Sequence, residues 1–148
     1  MNVIVVGVDH SEGAKAAVRF ALEEAKLRQA TLRVVHAWEY GYISAPDLEG
    51  SFPVVGADLK EVRDAAERAL EKTLQEAHAE TDSVEIERRV VEGRPAGVLV
   101  DESRDADLLV VGSRGHGGFA GLLLGSVSQQ VAHHASCPVV IVHPSRKS

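Results

Sequence analysis

Hydrophobic residues follow two patterns along the chain, and segments of the two kinds alternate. The first pattern is typical of β-strands. Apolar runs without polar alternation are typical of strands that are buried on both faces of a parallel sheet. Segments of this kind predict strands within residues 1–8, 32–37, 108–111 and 139–142. Residues 84–91 instead alternate apolar and charged side chains before two valines, which predicts an outer strand with one partly exposed face.

The second pattern places apolar residues three and four positions apart, the spacing of one face of an α-helix. It predicts helices over residues 14–28, 58–80 and 126–135, and Pro95 predicts the start of a short helix that runs toward residue 104. Because parallel neighbouring strands need a crossover and a helix supplies it, the alternation predicts an α/β fold with a parallel sheet. The length of 148 residues suits a single domain over residues 1–148. Ligands of such sheets bind beyond the carboxyl ends of the strands, where the strand order reverses.

Charge is distributed unevenly and narrows the choice of ligand. The net charge of −6 argues against general binding to nucleic acid or to an anionic membrane surface. No acidic residue follows Asp107, whereas Arg114, Arg146 and Lys147 do, so this last part of the chain is locally +3. An anionic ligand is therefore best tolerated there.

Composition excludes several other classes of protein. Hydrophobic residues make up 45% and charged residues 26% of the chain, which indicates a globular domain with a core rather than disorder. No apolar run approaches the ~20 residues that cross a bilayer, and the first residues lack the charged region of a secretory signal, so we expect a cytoplasmic protein. Cys137 is the single cysteine, which excludes an internal disulfide and a zinc site with two or more cysteines from one chain.

The segment after the fourth predicted strand is rich in glycine and carries the main functional signal. It reads Gly112-Ser113-Arg114-Gly115-His116-Gly117-Gly118-Phe119-Ala120-Gly121, and Gly125 then precedes a helix predicted to begin at Ser126. Glycine lets a backbone approach a ligand closely, and successive amides of such a loop can form an anion nest. Ser126 and Gln129 have the spacing of a capping box, and the first amides of a helix bind phosphate. Amides around residues 112–115 and 125–127 could together hold a polyphosphate, although such a loop can also serve only to turn the chain.

Two common nucleotide sites lack a required residue. No Gly-Lys-Ser/Thr occurs, so the lysine of P-loop NTPases is absent. The segment from Gly115 to Ala120 matches the loose dinucleotide fingerprint, but no acidic residue follows Asp107 to bind the ribose. The sequence therefore favours neither fast NTP hydrolysis nor a dinucleotide site.

The spacing Gly112-x2-Gly115-x9-Gly125-Ser126 resembles the nucleotide-binding motif of the universal stress protein family, in the branch that binds ATP. The resemblance covers the whole chain, from Val6-Gly7-Val8-Asp9 to Cys137-Pro138-Val139-Val140. It implies an open five-stranded parallel sheet of order 3-2-1-4-5 with helices on both faces, of the adenine nucleotide α-hydrolase-like type. It also implies that ATP binds at the switch between the first and fourth strands and that the protein dimerises.

The resemblance assigns nucleotide binding to nine positions. These are Val8, Asp9, Val35, Gly112, Arg114, Gly115, Gly125, Ser126 and Val127. Asp9 would meet the ribose or the metal–phosphate region, and the main chain of Val35 would pair with adenine. The loop positions would line the ribose and phosphates, with Arg114 pairing with phosphate or turning to solvent. The three positions at the start of the last helix would bind phosphates through backbone amides, assisted by the Ser126 hydroxyl.

Several of these side chains also have a structural interpretation. Asp-x-Ser, which begins at Asp9, favours an Asx turn or a helix cap as well as ligand binding. His36 lies in a predicted strand and is interpreted as a core histidine, while the adjacent His133 and His134 face different sides of a helix and make a poor chelate. We therefore predict no structural metal. Any Mg²⁺ would arrive with the nucleotide, near Asp9.

The connection over residues 38–57 is roughly 20 residues long, well above the usual ~4–6. It holds four of the six aromatic residues of the chain, namely Trp38, Tyr40, Tyr42 and Phe52. These rings are interpreted either as a lid over the ligand or as packing against a neighbouring helix or subunit.

The last predicted strand is apolar on both sides and should not be left at an open edge. Antiparallel pairing with the same strand of a second copy gives a closed two-fold dimer. We therefore expect a homodimer that forms through Val139, Val140, Ile141 and Val142.

The main hypothesis is an ATP-binding, homodimeric stress-response sensor or regulator in which bound nucleotide alters stability, surface or choice of partner. One alternative is a slow ATPase or autophosphorylating enzyme that positions water near Asp9 and Ser126. The other is a nucleotide-free dimer that acts through protein contacts. The sequence predicts no catalytic set of nucleophile, base and orienting residue, and it leaves ATP, AMP and a cyclic nucleotide as alternatives.

Overall fold

A computed structural model describes residues 2–9, 11–39, 42–44, 51–53, 59–77, 83–113 and 124–143. In chain order the elements are β1 (Val3–Val8), α1 (Glu12–Arg28), β2 (Thr31–Trp38), β3 (Tyr42–Ser44), β4 (Ser51–Pro53), α2 (Leu59–Glu76), β5 (Ile86–Glu92), α3 (Pro95–Glu102), a 3₁₀ turn (Ser103–Asp105), β6 (Leu108–Gly112), α4 (Ser126–His134) and β7 (Val139–Val142). Each predicted strand and helix is present, with bounds that differ by a few residues. Among the described helices, none has both the length and the apolar character needed to cross a membrane.

Five strands form one parallel sheet in the order β5-β2-β1-β6-β7. Counted without the short pair β3 and β4, this is the predicted order 3-2-1-4-5. The chain moves outward from β1 in one direction through β2 and β5, and then in the other through β6 and β7. Since β1 has β2 on one side and β6 on the other, the strand order reverses between β1 and β6.

The central strands are apolar because both faces of the sheet are covered. Ile4, Val6 and Val8 of β1 pack on the face that carries α1 and α2. Val3 and Val5 pack on the opposite face, which carries α3 and α4. This two-sided burial is the physical reason that β1 and β6 read as uninterrupted apolar runs.

The two edge strands of the sheet differ in character. The outer strand β5 carries Glu87, Arg88, Arg89 and Glu92, whereas every residue of β7 is apolar and partly exposed. On the β5 side, Arg33 of β2 donates to Glu87 (2.7 Å), Glu102 (3.1 Å) and Asp105 (3.0 Å), which ties the edge to the end of α3. This ion-pair cluster satisfies the charge of Arg33, whose neighbours in β2 on both sides are buried.

An antiparallel pair, β3 with β4, lies within the predicted 38–57 connection. This pair is not predictable from the sequence, because strands of three residues are too short to produce a periodic pattern. The rest of this connection after Glu39, and therefore most of the segment interpreted as a lid, lies outside the described residues.

Candidate functional site

The carboxyl ends of β1 and β6 lie side by side where the strand order reverses. β1 leads through Asp9 into α1, and β6 leads through the glycine-rich segment into α4, so both helices begin at this edge of the sheet. A Cβ atom added at Gly112 would lie 3.0 Å from both the carbonyl carbon and the oxygen of Gly13. The first turn of α1 therefore approaches the end of β6 closely only because residue 112 is a glycine.

The first of these two helices is capped by its own sequence. Ser11 is the N-cap of α1, and its Oγ accepts a hydrogen bond from the amide of Ala14 at 3.1 Å. The Oδ1 atom of Asp9 in turn accepts from the Ser11 amide (3.1 Å) and the Ser11 hydroxyl (2.5 Å). The structural interpretation of Asp9 as an Asx turn is thus confirmed, and its contact with the ribose or the metal–phosphate region stays a prediction.

The second helix, α4, has no side-chain cap. Its N-cap is Gly125, with φ −76° and ψ 171°, and the Gln129 amide donates to the Gly125 carbonyl at 3.0 Å. The predicted capping box is therefore wrong: the first turn closes on residue 125, so Ser126 is the first helical residue rather than the cap. The Gln129 side chain donates to the Leu124 carbonyl at 3.2 Å instead. The helix consequently begins with amides that no side chain of its N-cap satisfies, which is the arrangement that binds anions.

Two serines that the sequence analysis did not select hold the start of α4 against the end of β6. The Gly125 amide donates to the Ser113 carbonyl at 2.6 Å, and the Ser128 Oγ lies 2.9 Å from the same carbonyl oxygen. Ser113 and Ser128 are 0% and 2% exposed. The glycine-rich loop therefore leaves and rejoins the fold at one point, although its sequence has no pattern that marks either serine.

Two buried polar atoms near this edge have no hydrogen-bond partner in the part of the chain that is described. They are the Ser113 Oγ and the Trp38 Nε1. A buried donor or acceptor without a partner is unfavourable unless a ligand or water satisfies it. Arg114 and Gly115, which follow Ser113 and were predicted to line the ribose and phosphates, lie outside the described residues.

The remaining predicted positions lie on β1 and β2. The Val8 carbonyl accepts a hydrogen bond from Nδ1 of His36 at 3.1 Å. His36 is 6% exposed, and burial lowers the pKa of its ring below the ordinary value, an effect that the nearby Asp9 charge opposes. The interpretation of His36 as a core histidine is confirmed.

Val35 is the predicted position that the structure does not bring to this edge. It is 1% exposed and lies inside β2, in register with Gly7 on one side and Arg89 on the other. The last pair between β1 and β2 joins Val8 to His36, so a base that reaches β2 from the carboxyl edge meets Ala37 before Val35. Ala37 lies beyond that last pair and is half-buried, so its main chain is nearer this edge than that of Val35. The adenine contact of Val35 stays a prediction.

The histidine pair of α4 is exposed at the other end of that helix. The ring centroids of His133 and His134 are 6.3 Å apart, with the rings inclined at 56°. Within the described ranges no group of three or more His, Cys, Asp or Glu residues is placed to hold a metal ion. The absence of a structural metal in the whole chain stays a prediction.

Comparison with known proteins identifies a family over nearly the full chain. The family model described as Universal stress protein family matches residues 1–143. A universal stress protein of Mycobacterium tuberculosis is 38% identical over 142 residues, which are 96% of this chain and 45% of the relative. The chain thus spans about half the length of the curated relatives that it matches.

Solved structures give the same relationship. A universal stress protein UspA from Lactobacillus plantarum is similar with a TM-score of 0.75 and 26% identity, over 95% of this chain and 97% of the other. A universal stress protein in complex with cAMP has a TM-score of 0.64 and 32% identity, over 97% and 98%. Another, from Archaeoglobus fulgidus in complex with dAMP, has a TM-score of 0.56 and 28% identity, over 95% and 97%. Family model, relatives and fold agree, and this chain belongs to the universal stress protein family.

Proposed function

We propose that this protein binds an adenine nucleotide at the edge formed by the ends of β1 and β6, with the phosphates on the first amides of α4. The observation that carries the proposal is the start of α4, which has no side-chain cap. Hydrogen bonds to the Ser113 carbonyl hold this start beside the point where the strand order reverses. Helix amides without a side-chain cap carry partial positive charge and suit phosphate oxygens. The close approach at Gly112 also fits a ligand at this edge, as does the Ser113 Oγ, which has no hydrogen-bond partner among the described residues.

The chemistry of the relatives supports an adenine nucleotide in particular. Structurally similar universal stress proteins are in complex with cAMP and with dAMP, which share an adenine base and a phosphate. The absence of acidic residues after Asp107 removes repulsion between the α4 segment and an anion. ATP is the nucleotide that we propose, because the spacing Gly112-x2-Gly115-x9-Gly125-Ser126 resembles the motif of the ATP-binding branch of the family.

Asp9 fits a role near the ribose or a nucleotide-bound Mg²⁺. Its Oδ1 atom is engaged by Ser11, which fixes the carboxylate at the end of β1. Magnesium binds phosphates together with waters and one or two carboxylates rather than a full protein cage. When bound, the ion would neutralise phosphate charge, and Asp9 is the described carboxylate that would hold it at this edge.

We further propose that the protein acts as a homodimeric sensor or regulator, with β7 at the dimer interface. The charged strand β5 is protected against edge pairing, whereas the apolar β7 is not. A nucleotide bound at the end of β6 would lie next to the proposed interface, because the Ser113 amide donates to the Val142 carbonyl of β7 at 2.9 Å.

A pair of substitutions at Ser126 tests the phosphate position. Ser126→Asp places a negative charge at the first residue of α4, where it favours the helix by ~0.3–1 kcal/mol but repels a phosphate. Ser126→Asn is the matched neutral control. We expect calorimetric titration to show at least tenfold weaker ATP binding for the Asp variant than for the Asn variant, which corresponds to about 1.4 kcal/mol.

The Ser126 pair also separates lost binding from lost folding. The Asp variant should unfold at a temperature no lower than that of the Asn variant, because an acidic residue in the first turn stabilises a helix. Equal ATP affinity of the two variants would place the phosphates elsewhere.

A further inference from the structure

The buried hydroxyl of Ser128 has contacts that differ from those of an ordinary helix serine. Its Oγ lies 2.9 Å from the carbonyl oxygen of Ser113, which is 15 positions earlier, and 3.0 Å from that of Gly125 in its own first turn. A hydroxyl carries one proton, so it donates to one of these two oxygens at a time. Donation to Ser113 links the first turn of α4 to the end of β6, whereas donation to Gly125 stays within that turn.

The Ser113 carbonyl is the point where these contacts converge. It accepts from the Gly125 amide at 2.6 Å and is within hydrogen-bond distance of Ser128 as well. Removal of the hydroxyl leaves the amide contact as the single described bond that fixes the N-cap against β6. The directions of the Ser126 and Val127 amides, which follow the N-cap, depend on that fixation.

We propose that Ser128 is a positioning residue for phosphate binding. Its buried hydroxyl orients the first amides of α4 without touching the ligand. The inference rests on the proposed function, because it gives Ser128 a role only if phosphates occupy the start of α4. Hydrogen bonds to a phosphate weaken steeply when the donor is misaligned. A loosened N-cap should therefore weaken phosphate contacts and leave contacts to the base and ribose in place.

Ser103 provides a matched control for the loss of a buried hydroxyl. It is 1% exposed, its Oγ donates to the Val100 carbonyl at 2.6 Å, and it accepts from the Ser136 amide at 2.9 Å. Ser103 thus links α3 to the residues just after α4. This end of α4 is remote from the proposed phosphates. Ser128→Ala removes a buried hydroxyl at the start of α4, and Ser103→Ala removes one that contacts the residues after its end.

The experiment measures dissociation constants of ATP with Mg²⁺ and of adenosine for the unmodified protein and both alanine variants. We expect Ser128→Ala to bind ATP about tenfold more weakly while its affinity for adenosine changes less than twofold. Ser103→Ala should change neither affinity more than twofold. Ser128→Thr, which keeps the hydroxyl, should restore most of the ATP affinity.

The outcomes separate this inference from the proposed function. If the unmodified protein does not bind ATP, the proposed function fails and the inference fails with it. If the unmodified protein binds ATP and Ser128→Ala binds it equally well, or loses ATP and adenosine to the same extent, the positioning role is overturned while the nucleotide site stands. Should Ser128→Ala not fold, weak ATP binding by a folded Ser128→Thr would overturn the role in the same way.

Discussion

At the scale of single residues, His36 is a titratable side chain placed inside the core. Its Nδ1 donates to the Val8 carbonyl, one residue before Asp9, and the ring is almost fully buried. Burial penalises the charged ring, and this lowers its pKa in the folded protein. The neutral His36 ring therefore helps to hold the end of β1 through its hydrogen bond to Val8.

The lowered pKa of His36 predicts how stability depends on pH. Below about pH 6.5, the ordinary value for histidine, the unfolded chain takes up a proton that folded His36 resists, so the free energy of unfolding falls as the pH is lowered. We expect urea denaturation to show a decrease between pH 7.5 and pH 5.5 that is smaller in His36→Gln. A slope that His36→Gln leaves unchanged would show that the ring titrates normally.

Some properties of individual residues follow from sequence and others do not. The core position of His36 was predictable because the strand around it is apolar. The N-cap at Gly125 was not, since Ser is the preferred capping residue and the choice between adjacent positions depends on where the first turn closes. The pairing of Ser113 with Ser128 joins residues across a long loop, which no local spacing reveals.

At the scale of elements, the packing of α1 against β6 determines the geometry of the proposed site. The contact brings the first turn of α1 to the end of β6, with backbone against backbone at Gly13 and Gly112. Backbone atoms cannot move aside as a flexible side chain can, so an added methyl group must separate the helix from the strand.

Gly112→Ala therefore tests this element contact. We expect it to lower the free energy of unfolding by about 1–3 kcal/mol through overpacking, and to weaken ATP binding because the two helix starts move apart. Gly97→Ala is the control, since it lies in α3 with nothing within 4 Å of the added Cβ. That variant should gain about 0.5–1 kcal/mol from helix propensity. Urea denaturation of both variants measures the difference, and equal stabilities would contradict the contact.

The arrangement of elements was largely predictable because burial on both faces of a sheet and on one face of a helix leaves different apolar periods in the sequence. The end of β2 was less predictable. Whether Val35 or Ala37 is accessible depends on where β1 stops pairing, which is a property of two strands together. The β3–β4 pair left no signal, because each strand has only three residues.

At the scale of the whole molecule, the two edges of the sheet suggest how copies associate. Charged side chains protect the β5 edge, whereas β7 presents four partly exposed apolar residues. An edge of the latter kind favours pairing with another strand. A two-fold axis beside β7 would join two sheets into one and would place both proposed nucleotide sites near the interface.

Substitutions on the two edges test the dimer. Light scattering at micromolar concentration should give about twice the 15.8 kDa mass of the chain. Val140→Lys on β7 should yield the monomer mass, because a buried lysine at the interface lacks a partner. Val90→Lys makes the same change on β5 and should leave the dimer mass intact. A monomer mass for the unmodified protein would refute association through β7.

Thermal unfolding of the unmodified protein with and without millimolar ATP and Mg²⁺ tests nucleotide binding. A ligand at 100 times its dissociation constant stabilises the native state by ~2.7 kcal/mol, which for a domain of this size raises the midpoint by about 5–10 °C. We predict a rise of that size, and a rise about half as large or smaller in Ser126→Asp, because tenfold weaker binding lowers the stabilisation to ~1.4 kcal/mol. A midpoint that ATP leaves unchanged in the folded, unmodified protein would contradict nucleotide binding at the start of α4.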